Sequence, residues 1–363
     1  MKKFAWFFTL ILISTLVLSA CGAPAATKAP ATPAPTQAPA TQAPTEAPAA
    51  TEAPTATEAP ASAEPFKVAV VMPSAKNDLA FSQSMYDALL RVQEEMGADK
   101  FQFVYSENMF VVDDAAAAIR DYASQGYNLV IAHGSQYGSS LQEIAPDFPQ
   151  TSFAWGTTVD TFGQPNIFAY EAASQEGGFV NGVMAATLSK SNVIGVVGPI
   201  ETGDAKLYVD GFKAGVLSVK PDAKVNVNYI GSFSDTALAA EAANTHISAG
   251  ADVLTGSAQM VVGAIGKAKE NNVLWFGTQS NQASLAPSIV VASQVYHWEG
   301  ILKEMIASIQ SGTLGGKSFK ADLANGGEVI EFNPDSTVAA DAKALAETTI
   351  AGIKDKSITI TLP

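Results

Sequence analysis

The chain is poor in cysteine, histidine and positive charge. Of its 363 residues one is cysteine and three are histidine, and Lys plus Arg total 21 against 35 Asp plus Glu. A single cysteine, Cys21, excludes any disulfide within the chain. His133, His246 and His297 stand far apart and lack the Cys/His spacings that hold zinc, so no metal site is expected. No phosphate-cradling loop, dinucleotide fingerprint or nucleophile elbow occurs, so no cofactor and no enzymatic activity are expected. A carboxylate pair for hydrolysis stays open only because acids are plentiful, and nothing marks one pair out. The net charge of −14 comes without a basic patch. That argues against nucleic acid as a partner and against an anionic ligand drawn in by long-range attraction.

One long apolar run is present, at the start. Lys2 and Lys3 precede Phe4 to Leu18, which is relieved only by Thr9, Ser14 and Thr15, and small residues follow. A charged start, a short apolar stretch and a small-residue cleavage site describe a secretory signal peptide over residues 1–20. The run falls short of the about 20 apolar residues that a transmembrane helix needs. Leu18-Ser19-Ala20-Cys21 resembles the bacterial lipobox, which implies cleavage before Cys21, a diacylglycerol on its sulfur, and attachment to the membrane through that lipid. The alternative is an ordinary signal peptide with a cysteine near its cleavage point. Loss of Lys2 and Lys3 on cleavage takes the net charge from −14 to about −16.

Residues 21–65 read as the lipidated cysteine followed by a tether. After Gly22 the stretch is nearly all Ala, Pro and Thr, with Gln and Glu interspersed, and it has no aromatic and no large aliphatic residue. Such a segment buries too little apolar area to offset its chain entropy. Frequent proline favours extended polyproline II, about 3.1 Å per residue, so the tether reaches on the order of 100 Å at full stretch.

The remainder, from Phe66 onward, is about 300 residues, comfortable for two domains. Short apolar strands alternate with helical spacings: strands near 67–72, 101–105, 129–132, 151–155, 193–197, 225–230, 252–254 and 273–276, and helices near 82–96, 113–124, 139–144, 179–188, 208–216, 237–248 and 262–269. This is the α/β pattern of parallel sheets covered by helices on both faces. It runs twice, which predicts two similar lobes with a ligand cleft beyond the carboxyl ends of their strands. Those ends include Pro73–Asp78, His133–Tyr137, Gly156–Thr158, Gly198–Glu201, Thr255–Gln259 and Gly277–Asn281. They are rich in Gly, Ser, Thr, Asn and Gln, a lining suited to a neutral hydrogen-bonding solute.

Several segments, in order and spacing, resemble the basic membrane protein family of ABC-transporter substrate-binding lipoproteins, whose best-known members bind purine nucleosides. They are Asp78-Leu-Ala-Phe-Ser-Gln-Ser84, Glu176-Gly-Gly-Phe179, Val197-Gly-Pro199, Gly211-Phe-Lys-Ala-Gly215, Tyr229-Ile-Gly-Ser-Phe-Ser-Asp235, Gly250-Ala-Asp-Val253 and Leu285-Ala-Pro287. The resemblance implies a type I periplasmic-binding fold: two Rossmann-like lobes joined by a three-strand hinge. The N-terminal lobe is expected to take 66–172 plus 296–315, and the C-terminal lobe 173–295 plus 316–363. It also shows departures. The family's base-reading Asn falls on Ser82, its ribose-binding Asp on Gln279, a nearby acid on Asn281, and a Lys on Tyr296. These exchanges take charge out of the pocket and point toward a free nucleobase or another planar heterocycle as well as a nucleoside.

Candidate ligand contacts follow. Phe81, Tyr137, Trp155 and Tyr296 serve either as stacking surfaces for a planar ring, about 1–3 kcal/mol each by analogy with base stacking, or as core. Asp78 either accepts from a ring N–H or caps the helix after it. Gln83, Gln259 and Gln279 offer paired donor and acceptor groups, and Ser82 and Ser135 lie on the same strand-end loops. Asp204 and Lys206 read as a charged, capped turn. The expected function is a monomeric, lipid-anchored, extracytoplasmic binding protein of an ABC importer. It would close on a small planar solute, a purine base or nucleoside, and deliver it to a permease and ATPase complex. The alternatives are a surface sensor that partners a signalling receptor, and a nucleoside hydrolase.

Overall fold

A computed structural model describes residues 64–336 and 340–362. The expected signal peptide, Cys21 and all but the last residues of the expected tether lie outside that range. Among the described residues no helix is long and apolar enough to cross a membrane.

The first lobe is built from β1 (Phe66–Val71), α1 (Phe81–Met96), β2 (Phe101–Ser106), α2 (Val112–Ser124), β3 (Leu129–His133), α3 (Gly138–Ile144), β4 (Ser152–Gly156) and β5 (Ile167–Ala172). The second follows with α4 (Ser174–Leu188), β6 (Val193–Gly198), α5 (Gly203–Val219), β7 (Lys224–Tyr229), α6 (Thr236–Ser248), β8 (Val253–Gly256), α7 (Val261–Glu270), β9 (Leu274–Gly277) and β10 (Val290–Tyr296). The chain then returns to the first lobe as α8 (Glu299–Gln310) and β11 (Ser318–Ala321), and ends in the second as β12 (Glu328–Phe332) and α9 (Ala340–Lys354).

Each lobe carries a six-stranded sheet, in the orders β11-β5-β4-β3-β1-β2 and β12-β10-β9-β8-β6-β7. Pairing is parallel throughout except between β10 and β12. The central strands are apolar on both faces because both faces are covered. In the first lobe Val68, Val70 and Met72 face α1 and α8, while Ala69 and Val71 face α2 and α3. In the second, Ile194 and Val196 pack with α4 and α5, and Val197 and Leu254 with α6 and α7. The two sheets share one winding. Strand order reverses between β1 and β3 in the first and between β6 and β8 in the second, and such switch points open a crevice at the strands' carboxyl ends.

Three crossings join the lobes: β5 to α4, β10 to α8, and β11 to β12. They are tied to one another by backbone bonds, Ala173 N–H to Ala321 O at 2.7 Å and His297 N–H to Gly327 O at 2.8 Å. One boundary differs from the sequence reading. Residues 316–321 were assigned to the second lobe, but β11 pairs with β5 in the first sheet. The segment is short and half-exposed, so its composition carries no mark of which sheet it joins. The sequence pattern also left out β5, β10, β11, β12, α8 and α9, and started α4 and α5 late. α4 begins at Ser174 and α5 at Gly203, because glycines there weaken local helix propensity and only tertiary packing restores it. Gly178 and Gly182 on α4 face Gly211 and Gly215 on α5, and a Cβ at any of the four would overlap the backbone of the opposite helix.

Candidate functional site

A cavity of about 30 Å³ lies between the lobes at the carboxyl ends of both sheets. That is far below the about 300–1,000 Å³ common for small-molecule sites, so a ring-sized ligand needs the lobes to part before it enters. The first lobe supplies Pro73, Phe81, Phe110, Ser135, Gln136 and Thr157, and the second Asp204, Phe233, Ala258, Gln259 and Gln279. The two lobes also touch directly. Thr157 Oγ1 donates to Asp204 Oδ1 at 3.1 Å, Ser280 Oγ to the Ala80 carbonyl at 2.7 Å, and Gln282 Nε2 to the Leu79 carbonyl at 3.2 Å.

Asp204 organises the polar side. It sits in the first turn of α5, where the helix dipole favours negative charge. Its Oδ2 accepts from Tyr296 Oη at 2.8 Å and from Gln279 Nε2 at 3.3 Å. Burial pushes the Asp204 carboxyl up from its ordinary range, while the bonds from Tyr296, Thr157, Gln279 and the Ala205 N–H pull it back. Every one of those groups acts as a donor, so the ionised form is the one the site is built around. Ser174 Oγ lies 2.6 Å from Tyr296 Oη. Since that hydroxyl already donates to Asp204, it accepts from Ser174, which joins the first crossing to the cavity floor.

Phe81 is the firmest apolar wall. Its ring lies flat on the His133 imidazole, centroids 3.8 Å apart and planes 7° apart. His133 Nε2 is 3.0 Å from the Phe81 carbonyl and Nδ1 is 2.7 Å from Tyr170 Oη. Nε2 therefore carries the hydrogen and Nδ1 accepts from the tyrosine. Burial holds the imidazole neutral, lowering its pKa to about 3. His133 thus supports Phe81 as a buried neutral ring.

Of the sequence candidates, Phe81, Ser135, Gln259 and Gln279 line the cavity, and the other six do not. Asp78 faces its own helix start, accepting from the N–H groups of Ala80, Ser82 and Gln83 and from Ser74 Oγ. Ser82 is buried, and its Oγ accepts from the Ser74 N–H at 3.2 Å. Gln83 spends its amide on the Leu79 N–H and Asp87. Tyr137 is core, its hydroxyl donating to the Met109 carbonyl at 2.7 Å. Trp155 donates to the Gly134 carbonyl and stacks on Phe162 with centroids 4.8 Å apart. Tyr296 is fully buried beneath Asp204. In each case a polar atom near a strand end found a partner within the protein first.

Asp204 itself, read as a capped turn, is the correction that matters: the cavity holds a carboxylate, where the exchanges at Gln279 and Asn281 had suggested a site without charge. Its signal was its place, a few residues beyond the carboxyl end of β6. Phe110 and Phe233 were also missed. They follow β2 and β7, the equivalent edge strands of the two sheets, and extending the strand-end rule to those edges finds both.

The architecture is that of a two-lobed solute-binding protein. A family model described as ABC transporter substrate-binding protein, PnrA-like, matches residues 66–361, and the chain belongs to that family. It is 27% identical over 291 residues to a purine-binding protein of Brucella abortus, covering 80% of this chain and 81% of that one. It is likewise 27% identical over 261 residues to the transcriptional activator protein Med of Bacillus subtilis, covering 72% and 80%. Among solved structures, a solute-binding protein of an ABC transporter system from Aeropyrum pernix superimposes with a TM-score of 0.70 at 18% identity, covering 82% of this chain and 94% of that one.

Proposed function

We propose that this protein is the lipid-anchored binding component of an importer and that its cargo is a purine base or nucleoside. The observation that carries the reading is the interlobe cavity itself. Phe81, Phe110 and Phe233 give it aromatic walls, and Ser135, Gln259, Gln279 and Asp204 give it hydrogen-bonding groups, the pairing of surfaces that a planar heterocycle with polar edges requires. The likeness to a purine-binding protein of Brucella abortus supports the ligand class. The mechanism is capture by lobe closure about the three crossings, with the closed form presented to a permease. Cys21 would hold the protein at the outer face of the membrane, and the tether would let it reach its partner.

Isothermal titration with adenine, guanine, hypoxanthine and their nucleosides tests the ligand. The expected result is a saturable one-site isotherm with at least one of them. An absence of heat and of thermal stabilisation with the whole panel would sink the purine assignment.

A further inference from the structure

Building on the reading of capture by lobe closure, we infer that Ser280 and Gln282 form a latch. These two donors of the second lobe close onto the Leu79 and Ala80 carbonyls of the first, and so set how long a captured solute stays. Ser280 Oγ donates to the Ala80 carbonyl at 2.7 Å and Gln282 Nε2 to the Leu79 carbonyl at 3.2 Å. None of the four residues lines the cavity, and none belongs to the three crossings. The two bonds therefore join lobe to lobe without touching the solute.

The second-lobe half is held in place by its own lobe. Ser280 and Gln282 follow β9 and are buried. Gln282 Oε1 accepts from Trp275 Nε1 at 2.9 Å, and the Gln282 backbone N–H donates to Ser293 Oγ at 3.1 Å. Its Nε2 also donates to the Thr278 carbonyl at 3.1 Å. An amide nitrogen carries two hydrogens, so one is engaged within the lobe and the other crosses to Leu79. Trp275 and Ser293 lie on β9 and β10, so the sheet itself fixes the donor.

The first-lobe half is equally fixed. Leu79 is held at φ 53°, unfavourable for a residue with a side chain, and such a conformation persists where surrounding structure enforces it. Gln83 Oε1 accepts from the Leu79 N–H at 3.0 Å, and Asp78 accepts from the N–H groups of Ala80, Ser82 and Gln83. Asp78 and Gln83, which do not reach the cavity, thus hold two carbonyls at the start of α1, directly before the cavity wall Phe81. The Ala80 carbonyl also accepts from the Ser84 N–H at 3.1 Å, so it keeps a partner when the lobes part. Groups fixed before they meet lose little conformational freedom on closing. Bonds made only between closed lobes must break before the solute leaves, so they act on koff, and their loss favours the open form and leaves kon no lower.

Ser280→Ala removes one bond and leaves the Ala80 carbonyl paired. Gln282→Met keeps the length of the side chain and removes the amide. Stopped-flow fluorescence with adenine, guanine, hypoxanthine and their nucleosides reads the two rate constants separately. For each of these purines that binds the wild type, either variant is expected to raise koff about two- to tenfold, the net effect of one hydrogen bond, with kon not lowered. An unchanged koff in either folded variant, or a lowered kon, overturns the latch and leaves purine capture intact. If none of the six binds, the purine reading falls, and small-angle scattering without solute decides the latch. A larger radius of gyration in Ser280→Ala than in the wild type supports it, and equal radii overturn it. Thermal melts check folding, and a variant that does not fold leaves the other to decide.

Discussion

Tyr296 shows how much one residue's meaning depends on its partners. At the end of β10 it is placed where an aromatic clamp would be useful, yet its ring packs on Trp298 with centroids 5.0 Å apart. Its hydroxyl bridges Ser174 at a crossing and Asp204 in the cavity. Burial and the negative charge of Asp204 push the phenol well above its ordinary range, so it stays a neutral donor at any physiological pH. Tyr296→Phe keeps the ring and deletes the bridge. The expected cost is about 0.5–2 kcal/mol of folding stability, with weaker ligand binding because Asp204 loses a donor that orients it. Chemical denaturation and titration on the same variant measure the two effects; unchanged affinity would remove Tyr296 from the site.

At the scale of elements, the close pair α4 and α5 is the most constrained contact in the second lobe. Both carry Gly-x-x-x-Gly on the touching faces, Gly178 and Gly182 against Gly211 and Gly215, and the near backbone approach leaves no room for a methyl group. Two segments that carried the family resemblance, Glu176 to Phe179 and Gly211 to Gly215, are thus explained largely by packing. The pair also sets the site, because α5 begins with Asp204. Gly182→Ala is expected to destabilise the protein by about 1–3 kcal/mol through overpacking, lowering Tm by several degrees in a thermal melt, and to weaken ligand binding by shifting α5. A melt indistinguishable from the wild type would show that the helices can separate at little cost.

For the whole molecule, the winding that repeats in the two sheets brings equivalent loops to face each other. Phe110 follows β2 and Phe233 follows β7, so the edge strands of the two lobes each lend one aromatic to a single cavity. Three linked crossings leave the lobes free to hinge as bodies while their own sheets stay intact. Outside the described residues, Cys21 is expected to decide where this assembly works. Cys21→Ser removes the sulfur that would carry the lipid. The variant is expected in the soluble or secreted fraction, with the wild type in the membrane fraction, both seen by immunoblot after fractionation. Equal membrane retention would count against lipidation at Cys21.

The sequence alone determined the α/β class and the doubled lobe, because these follow from composition and apolar periodicity, which are local and additive along the chain. It also placed Phe81, Ser135, Gln259 and Gln279 on loops that the fold brings to one cavity. It did not separate them from Asp78, Ser82, Gln83, Tyr137, Trp155 and Tyr296, since a polar atom at a strand end is free for a ligand only if nothing in the protein satisfies it. Only the tertiary structure decided that. It joined Asp204 to Thr157, Gln279 and Tyr296, groups up to 92 residues distant in the chain, and left Gln279 Oε1 without a donor among the described residues. A hydrogen-bond inventory depends on all neighbours at once, and no spacing along the chain records it.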